Sequence, residues 1–465
     1  MKLTLFVLIC VTALALMWPS FNGMTITSDG VNYMSIAQNI AHGNGVVNYT
    51  GNVELVHPFL YSIVMAPFII LGSSMMGAAF AVNLLSLIAV GCMAWLLLVE
   101  LTDRRDWPAT LGTLCVMSNG PLMTFTQRAL TETMCAALVL TFTWLCVKAS
   151  TKKPWRWLLL ASAVAMAGCF TRYTFFAFIL GAGIFLKSWR DRVIVLGPAF
   201  LIGVVGFFTT KALHPYLDYN PHLFKNILNA PFGMVQASVG LIVFCVVVGL
   251  VVKNWDSILA RMLAGIVVVY VVGLMALCVE SGFNPSLDYR LFVPAVPVVL
   301  ILLIGLFMRR PISVVELAPY VLTGLTITVI TGAVVTAQQA RPPTAKILNA
   351  PHFRHSSIIA AIDSLPDSTI IYDNCQSVVW LLTGKRTKAI PNTGSPPGTP
   401  YNSDTIAPRK TGGLMVWFDY QSDRYFPPEK FYDIMQQTST GVMGIRDSTG
   451  LMVLIRKDTN YANRQ

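Results

Sequence analysis

Asp29, Glu132, Arg128, Arg172 and Arg290 are the residues of this chain with the types and setting to do chemistry, because each stands beside long apolar runs that would exclude charge unless it had a use. A carboxylate can take the proton of a hydroxyl that is becoming a nucleophile. A guanidinium matches the oxygens of a phosphate two at a time. Asp29 lies in the first long polar segment, Phe21 to Pro58, at the head of a stripe formed by Tyr33, Ile36, Ala37 and Ile40, with Gly43 where a helix C-terminal left-handed residue belongs. The spacing predicts a helix over 30–41, and two roles stay open at its start: Ser28 or Asp29 caps the helix, or Asp29 acts as a base. Glu132 opens an apolar run, where a carboxylate either complements the helix dipole or faces the same cavity as a second acid. Arg172 and Arg290 stand at the outer ends of apolar runs. Arg290 opens its run, where a cation opposes the dipole, so it calls for a partner: Asp288, two residues away, or an anion at the membrane surface. Arg172 either snorkels or holds such an anion.

The elements that must position these residues are membrane helices. The 465 residues are 55% hydrophobic and 12% charged, with a mean hydropathy of +0.62, against roughly 25% charged in soluble domains. Apolar runs at 3–21, 76–99, 107–126, 132–149, 156–171, 173–187, 193–212, 235–252, 262–280, 291–308 and 314–337 predict about eleven crossings. The fold class expected is a polytopic α-helical membrane protein with a long first outer loop carrying interfacial helices, plus a small C-terminal soluble α/β domain. The first run has signal-peptide features, and its retention as a first span is the expectation for so long a polytopic chain. With the N-terminus inside, Arg104 and Arg105, then Lys148 to Arg156, then Lys187 to Arg192, then Lys253 and Arg261, then Arg309 and Arg310 all fall on the inner side. That assignment leaves the C-terminal tail outside, and it accounts for the net charge of +11 without nucleic acid. The 14-residue apolar stretch 58–71 contains Pro67 and is too short to span, so it is laid in the outer interface.

Two domains are expected: a transmembrane part over 1–337, with its first outer loop at 22–75, and an extracytoplasmic α/β part over 338–465. In the second, patterning predicts a helix near 356–365, a strand at 369–372, a helix at 377–382 and a strand at 414–418. A helix opened by Pro427-Pro428 and a closing hairpin turning at Ser448-Thr449-Gly450 complete it. Eight of the nine cysteines lie in apolar runs, Cys375 alone in the tail, and no disulfide framework shows. Glu54 and His57 are a weak metal signal, His42 belongs to the helix end, and zincin, Walker, GxGxxG and GxSxG motifs are absent.

The order of these features resembles the C-type-fold (GT-C) glycosyltransferases that use polyprenyl-phosphate sugars, a group that includes lipid A aminoarabinose transferases and protein O-mannosyltransferases. The match runs from Ser28-Asp29-Gly30-Val31-Asn32-Tyr33 and its helix, through His57-Pro58-Phe59-Leu60-Tyr61 and Thr131-Glu132, to Thr171-Arg172-Tyr173 and Asp288-Tyr289-Arg290-Leu291-Phe292-Val293-Pro294. It covers about 1–340, and the tail is similar to the outer domain of bacterial members. A single acid at position 29 and His-Pro at 57–58 depart from the commoner patterns.

The resemblance implies an inverting transfer of a sugar from a polyprenyl-phosphate donor to a hydroxyl on a lipid, glycan or protein, at the outer face of a bacterial inner membrane. Asp29 and Glu132 are then the catalytic pair, Arg172, Arg290 and Arg128 hold the donor phosphate, and Tyr33, His57, Tyr61, Tyr173, Asp288 and Tyr289 line the substrate cavity. A phosphate is already a good leaving group, so no metal or other cofactor is expected to be required, a divalent ion being the alternative. The rival readings are a lipid-linked oligosaccharide ligase and a secondary transporter or flippase. A transporter would keep ionisable residues at mid-membrane, whereas Asp29, Glu132, Glu280 and Asp288 all fall at one predicted surface.

Overall fold

A computed structural model of the chain describes residues 2–21, 23–53, 58–152, 155–186, 188–213, 257–281, 289–308, 351–389, 413–418 and 444–455. They are mostly helical, and by internal packing the chain divides into two units, Met1–Met24 with Leu55–Gln338 and Thr25–Glu54 with Gln339–Gln465. The segment carrying Asp29 thus packs as part of the same unit as the tail.

The first unit is a stack of apolar helices. Among the described residues three helices are long and apolar enough to cross a membrane, Leu3–Ser20, Met75–Leu101 and Glu132–Thr151. The helix Met75–Leu101 (α4) is the hub, touching α1 (Leu3–Met17), α3 (Leu60–Ile70), α5 (Asp106–Met117) and α7 (Glu132–Lys152). Its partners in turn hold α8 (Trp155–Thr171), α9 (Phe175–Gly183), α11 (Ile258–Ser281) and α12 (Val296–Phe307), and α8 and α9 hold α10 (Trp189–Leu213). Faces turned away from the bundle carry Leu3, Phe6, Val11, Leu14 and Trp18, the side chains a lipid tail accepts. Inside, hydroxyls that would otherwise be orphaned bond back to their own helix, as Thr113 and Thr143 do to the carbonyls of Ala109 and Val139. Where α9 crosses α11 a Cβ on Gly181 would lie 2.6 Å from the Gly265 carbonyl oxygen, so only glycine permits this approach.

Several predicted runs are divided. The run 107–126 becomes α5 and a separate α6 (Gly120–Thr126), because Asn119 caps α6 by accepting from Leu122 N at 2.9 Å and Pro121 follows at the helix start. The run 173–187 yields only the nine residues of α9, a rise of about 14 Å against a hydrocarbon core of about 30 Å. The stretch 58–71 forms the 11-residue α3, also too short to span. The run 291–308 begins as a 3-10 segment, Tyr289–Ala295, broken by Pro294, before α12. Runs 235–252 and 314–337 lie outside the described residues, as does the Pro427-Pro428 helix.

In the second unit a five-stranded mixed sheet runs β2-β1-β3-β5-β4, with β1 (Ile371–Asp373), β2 (Lys388–Ala389), β3 (Gly413–Phe418), β4 (Gly444–Asp447) and β5 (Gly450–Ile455). β1 is parallel to both β2 and β3, and β5 is antiparallel to β3 and β4. The hairpin β4–β5 turns at Ser448-Thr449, and the Asp447 carboxylate there accepts from Ser356, Ser357 and Thr449. Burial works against its charge, but those bonds outweigh it and hold its pKa below the usual carboxylate range. Helices Ser357–Asp363 and Gln376–Thr383 accompany the sheet. The predicted strand and helix positions in the described part of the tail are met to within a few residues.

Candidate active site

Asp29 is the second residue of α2 (Ser28–Ala41), one turn from the buried Tyr33 on the same helix face. The cap is neither Ser28 nor Asp29: Thr27 accepts from Gly30 N at 3.3 Å, so Asp29 sits inside the first turn, where the dipole favours a carboxylate. The far end is built as the pattern required, with His42 Nδ1 on the Gln38 carbonyl at 2.9 Å and Gly43 left-handed at φ 80°. Beyond it the chain folds on itself. Asn39 Nδ2 donates to the Val47 carbonyl at 2.8 Å, Val47 bridges Val53, and the Asn48 side-chain oxygen accepts from Thr50 N, Thr50 Oγ1 and Asn52 N at 3.0, 2.6 and 3.3 Å.

In the first unit Glu132 and Arg172 come together. Glu132 opens α7, Arg172 follows α8, and Arg172 Nη1 donates to Glu132 Oε1 at 2.5 Å with side-chain exposures of 13% and 1%. The second oxygen, Glu132 Oε2, is buried with no hydrogen-bond partner among the described residues. Such a pair is held against a large desolvation cost, which the charged hydrogen bond offsets. Cys135 and Tyr270 lie within electrostatic reach of both charges, and the Tyr270 ring stacks on Phe178 at 3.9 Å between centroids.

Arg128 stands in the corner between α6 and α7, its guanidinium 4.9 Å from the Phe125 ring centroid. That corner is fixed from below. The fully buried Asn83 of α4 donates to the carbonyls of Thr126 and Arg128 at 2.9 and 2.6 Å and accepts from Tyr61 Oη at 3.0 Å. Thr126 and Thr133 share a 2.8 Å hydroxyl contact across the same corner. Tyr61 is therefore a buried strut from α3 to the Arg128–Glu132 corner. Tyr173 beside Arg172 is 41% exposed. Tyr289 and Arg290 lie in the 3-10 segment, which packs against α6 and against α7, the helix that carries Glu132. His57, Glu54 and Asp288 lie outside the described residues. Among the described residues no group of three or more His, Cys, Asp or Glu side chains could hold a metal.

Sequence reasoning passed over Asn83 and Tyr270. The signal was present for Asn83, an amide inside a 27-residue apolar helix, since a polar side chain there must find partners.

No protein-family profile matches the sequence, and no curated protein sequence matches it. Solved structures do. The chain is similar to ArnT from Cupriavidus metallidurans bound to undecaprenyl phosphate, at a TM-score of 0.60 and 11% identity over 96% of this chain and 97% of that one. The apo form of the same protein matches at 0.59 and 12% identity, with the same coverage. The apo oligosaccharyltransferase of Archaeoglobus fulgidus matches at 0.55 and 12% identity over 98% of this chain and 74% of that one. At such identities the likeness is one of fold, and it spans nearly the whole chain: this membrane protein has the C-type fold of the membrane glycosyltransferases.

Proposed function

We propose that the chain is an inverting glycosyltransferase that moves a sugar from a polyprenyl-phosphate donor to a hydroxyl acceptor at the outer face of a bacterial inner membrane. The observation that carries the reading is the buried Glu132–Arg172 pair in this fold, because a water-poor guanidinium beside helix ends suits a lipid phosphate that gains charge as it leaves. The neighbour solved with undecaprenyl phosphate supports the choice of donor.

In this mechanism the acceptor oxygen attacks the anomeric carbon as its proton passes to the Asp29 carboxylate. The bond from that carbon to the phosphate oxygen breaks, and the electron pair leaves with the lipid phosphate. Arg172, with Arg128 and Arg290, stabilises that phosphate. Glu132 holds the Arg172 guanidinium through Oε1, and its unpartnered Oε2 is left to accept from a sugar or acceptor hydroxyl. Tyr173, exposed beside Arg172, offers a wall and a hydroxyl to the substrate.

The test uses full-length protein in nanodiscs with a panel of undecaprenyl-phosphoryl sugars, reading release of undecaprenyl phosphate. Asp29→Asn should lower turnover by about 10²- to 10⁴-fold, the usual worth of a general base, with undecaprenyl phosphate binding retained. Undiminished turnover in the variant would remove Asp29 from the mechanism.

A further inference from the structure

The segment from Thr25 to Glu54 packs with the tail domain, and the contacts say how. Helix α2 touches the tail helix Gln376–Thr383. The Tyr49 ring at the tip of the loop hairpin lies 6.2 Å from the Trp380 ring, centroid to centroid. Next to it Gly51 runs at φ 89°, and a Cβ there would meet Arg386 Nη1 at 3.1 Å, so loop backbone and tail side chain are in close approach. The tail side of this contact is buried and tied to its own domain. Trp380 is 7% exposed, and its helix is tied at one end by Gln376 Nε2 on the Thr387 carbonyl at 2.6 Å and closed at the other by Gly384 in the left-handed region.

The loop side transmits the contact. Tyr49 belongs to the hairpin organised around Asn48, the hairpin is tied to α2 through Asn39 and Val47, and α2 is an unbroken 14-residue rod with Asp29 in its first turn. Fixing one end of a rod about 20 Å long restrains the other. Without the contact, a long polar loop would retain its conformational entropy, and the carboxylate would be spread over many positions.

We infer that the tail domain is the mooring of the first loop, and that Tyr49 and Trp380 are positioning residues for the reaction, acting through α2 on Asp29. The inference rests on the proposed role of Asp29, and the experiment separates the two. Full-length protein in nanodiscs carries Tyr49→Ala, chosen because it removes the contact from the loop side and leaves the tail core whole, with Tyr49→Phe as the ring-conserving variant. Hydrogen exchange over 42–53 should rise up to about tenfold in the alanine variant, in keeping with the worth of one aromatic pair, and return in the phenylalanine variant. With the undecaprenyl-phosphoryl sugar panel, kcat should fall by a similar factor while the donor KM holds, and Phe should rescue it. Trp380→Ala should reproduce the exchange result from the other side. Unchanged exchange in Tyr49→Ala would overturn the mooring, and raised exchange with unchanged kcat would overturn the positioning role. Full turnover in Asp29→Asn would instead overturn the catalytic reading while leaving the exchange result standing.

Discussion

The buried pair of Glu132 and Arg172 allows a worked prediction. Replacing Arg172 by methionine removes the donor to Glu132 Oε1, and Oε2 has no partner among the described residues to begin with, so none of them is left to hydrogen-bond a carboxylate 1% exposed. Breaking one side of such a pair costs about 3–5 kcal/mol. Glu132→Gln keeps an acceptor for the guanidinium and exchanges a charged bond for a neutral one, a loss of about 1 kcal/mol. The double variant removes the uncompensated charge, so its loss should fall short of the sum of the singles by about 2–3 kcal/mol. Denaturant unfolding of the full-length protein in detergent, followed through all four forms, reads that coupling. Additivity to within about 0.5 kcal/mol would refute the claim that the two side chains form one buried unit. Turnover gives a second reading: the double variant should recover stability and not activity, because the leaving phosphate still lacks its cation.

Asn83→Ala should destabilise by about 3 kcal/mol, since it removes three buried hydrogen bonds at once, from Tyr61 Oη and to the carbonyls of Thr126 and Arg128, whereas Tyr61→Phe should cost only about 1 kcal/mol; equal losses in an unfolding assay would contradict the strut. In the tail, Asp373 is fully buried and accepts from Cys375 N at 3.0 Å through Oδ1. Burial pushes its carboxyl from an ordinary 3.8 up to about 7. A raised carboxyl favours the protonated fold, so its stabilisation is complete below pH 3.8 and fades as pH climbs to about 7. The span of about three units corresponds to at most about 4 kcal/mol. Asp373→Asn should flatten that slope in pH-dependent unfolding of the tail, and an unchanged slope would assign it to another group.

Much of the fold was legible in the sequence because its signals are local. An apolar run is a helix wherever water is scarce, since every backbone group must then be satisfied within its own segment. The helix behind Asp29 and the α/β order of the tail were readable from equally local signals, from spacing and from Gly43 and the Ser448-Thr449-Gly450 turn. The breaks at Asn119 and Pro294 were harder to see, as the apolar runs pass through them and only cap and proline chemistry ends the helix.

By itself the sequence determined that the chain is a membrane protein, which residues carry charge beside apolar runs, and the order of motifs that resembles a C-type glycosyltransferase. Tertiary structure alone decided which of those charges meet. Glu132 and Arg172 are 40 positions apart, and nothing local couples them until α7 and α8 pack. The same holds for Tyr61 and Asn83, and for Tyr49 and Trp380, whose contact ties the loop of Asp29 to a domain more than three hundred residues away. Periodicity reports which face of an element is buried, while the partner that buries it is fixed only when the whole chain closes.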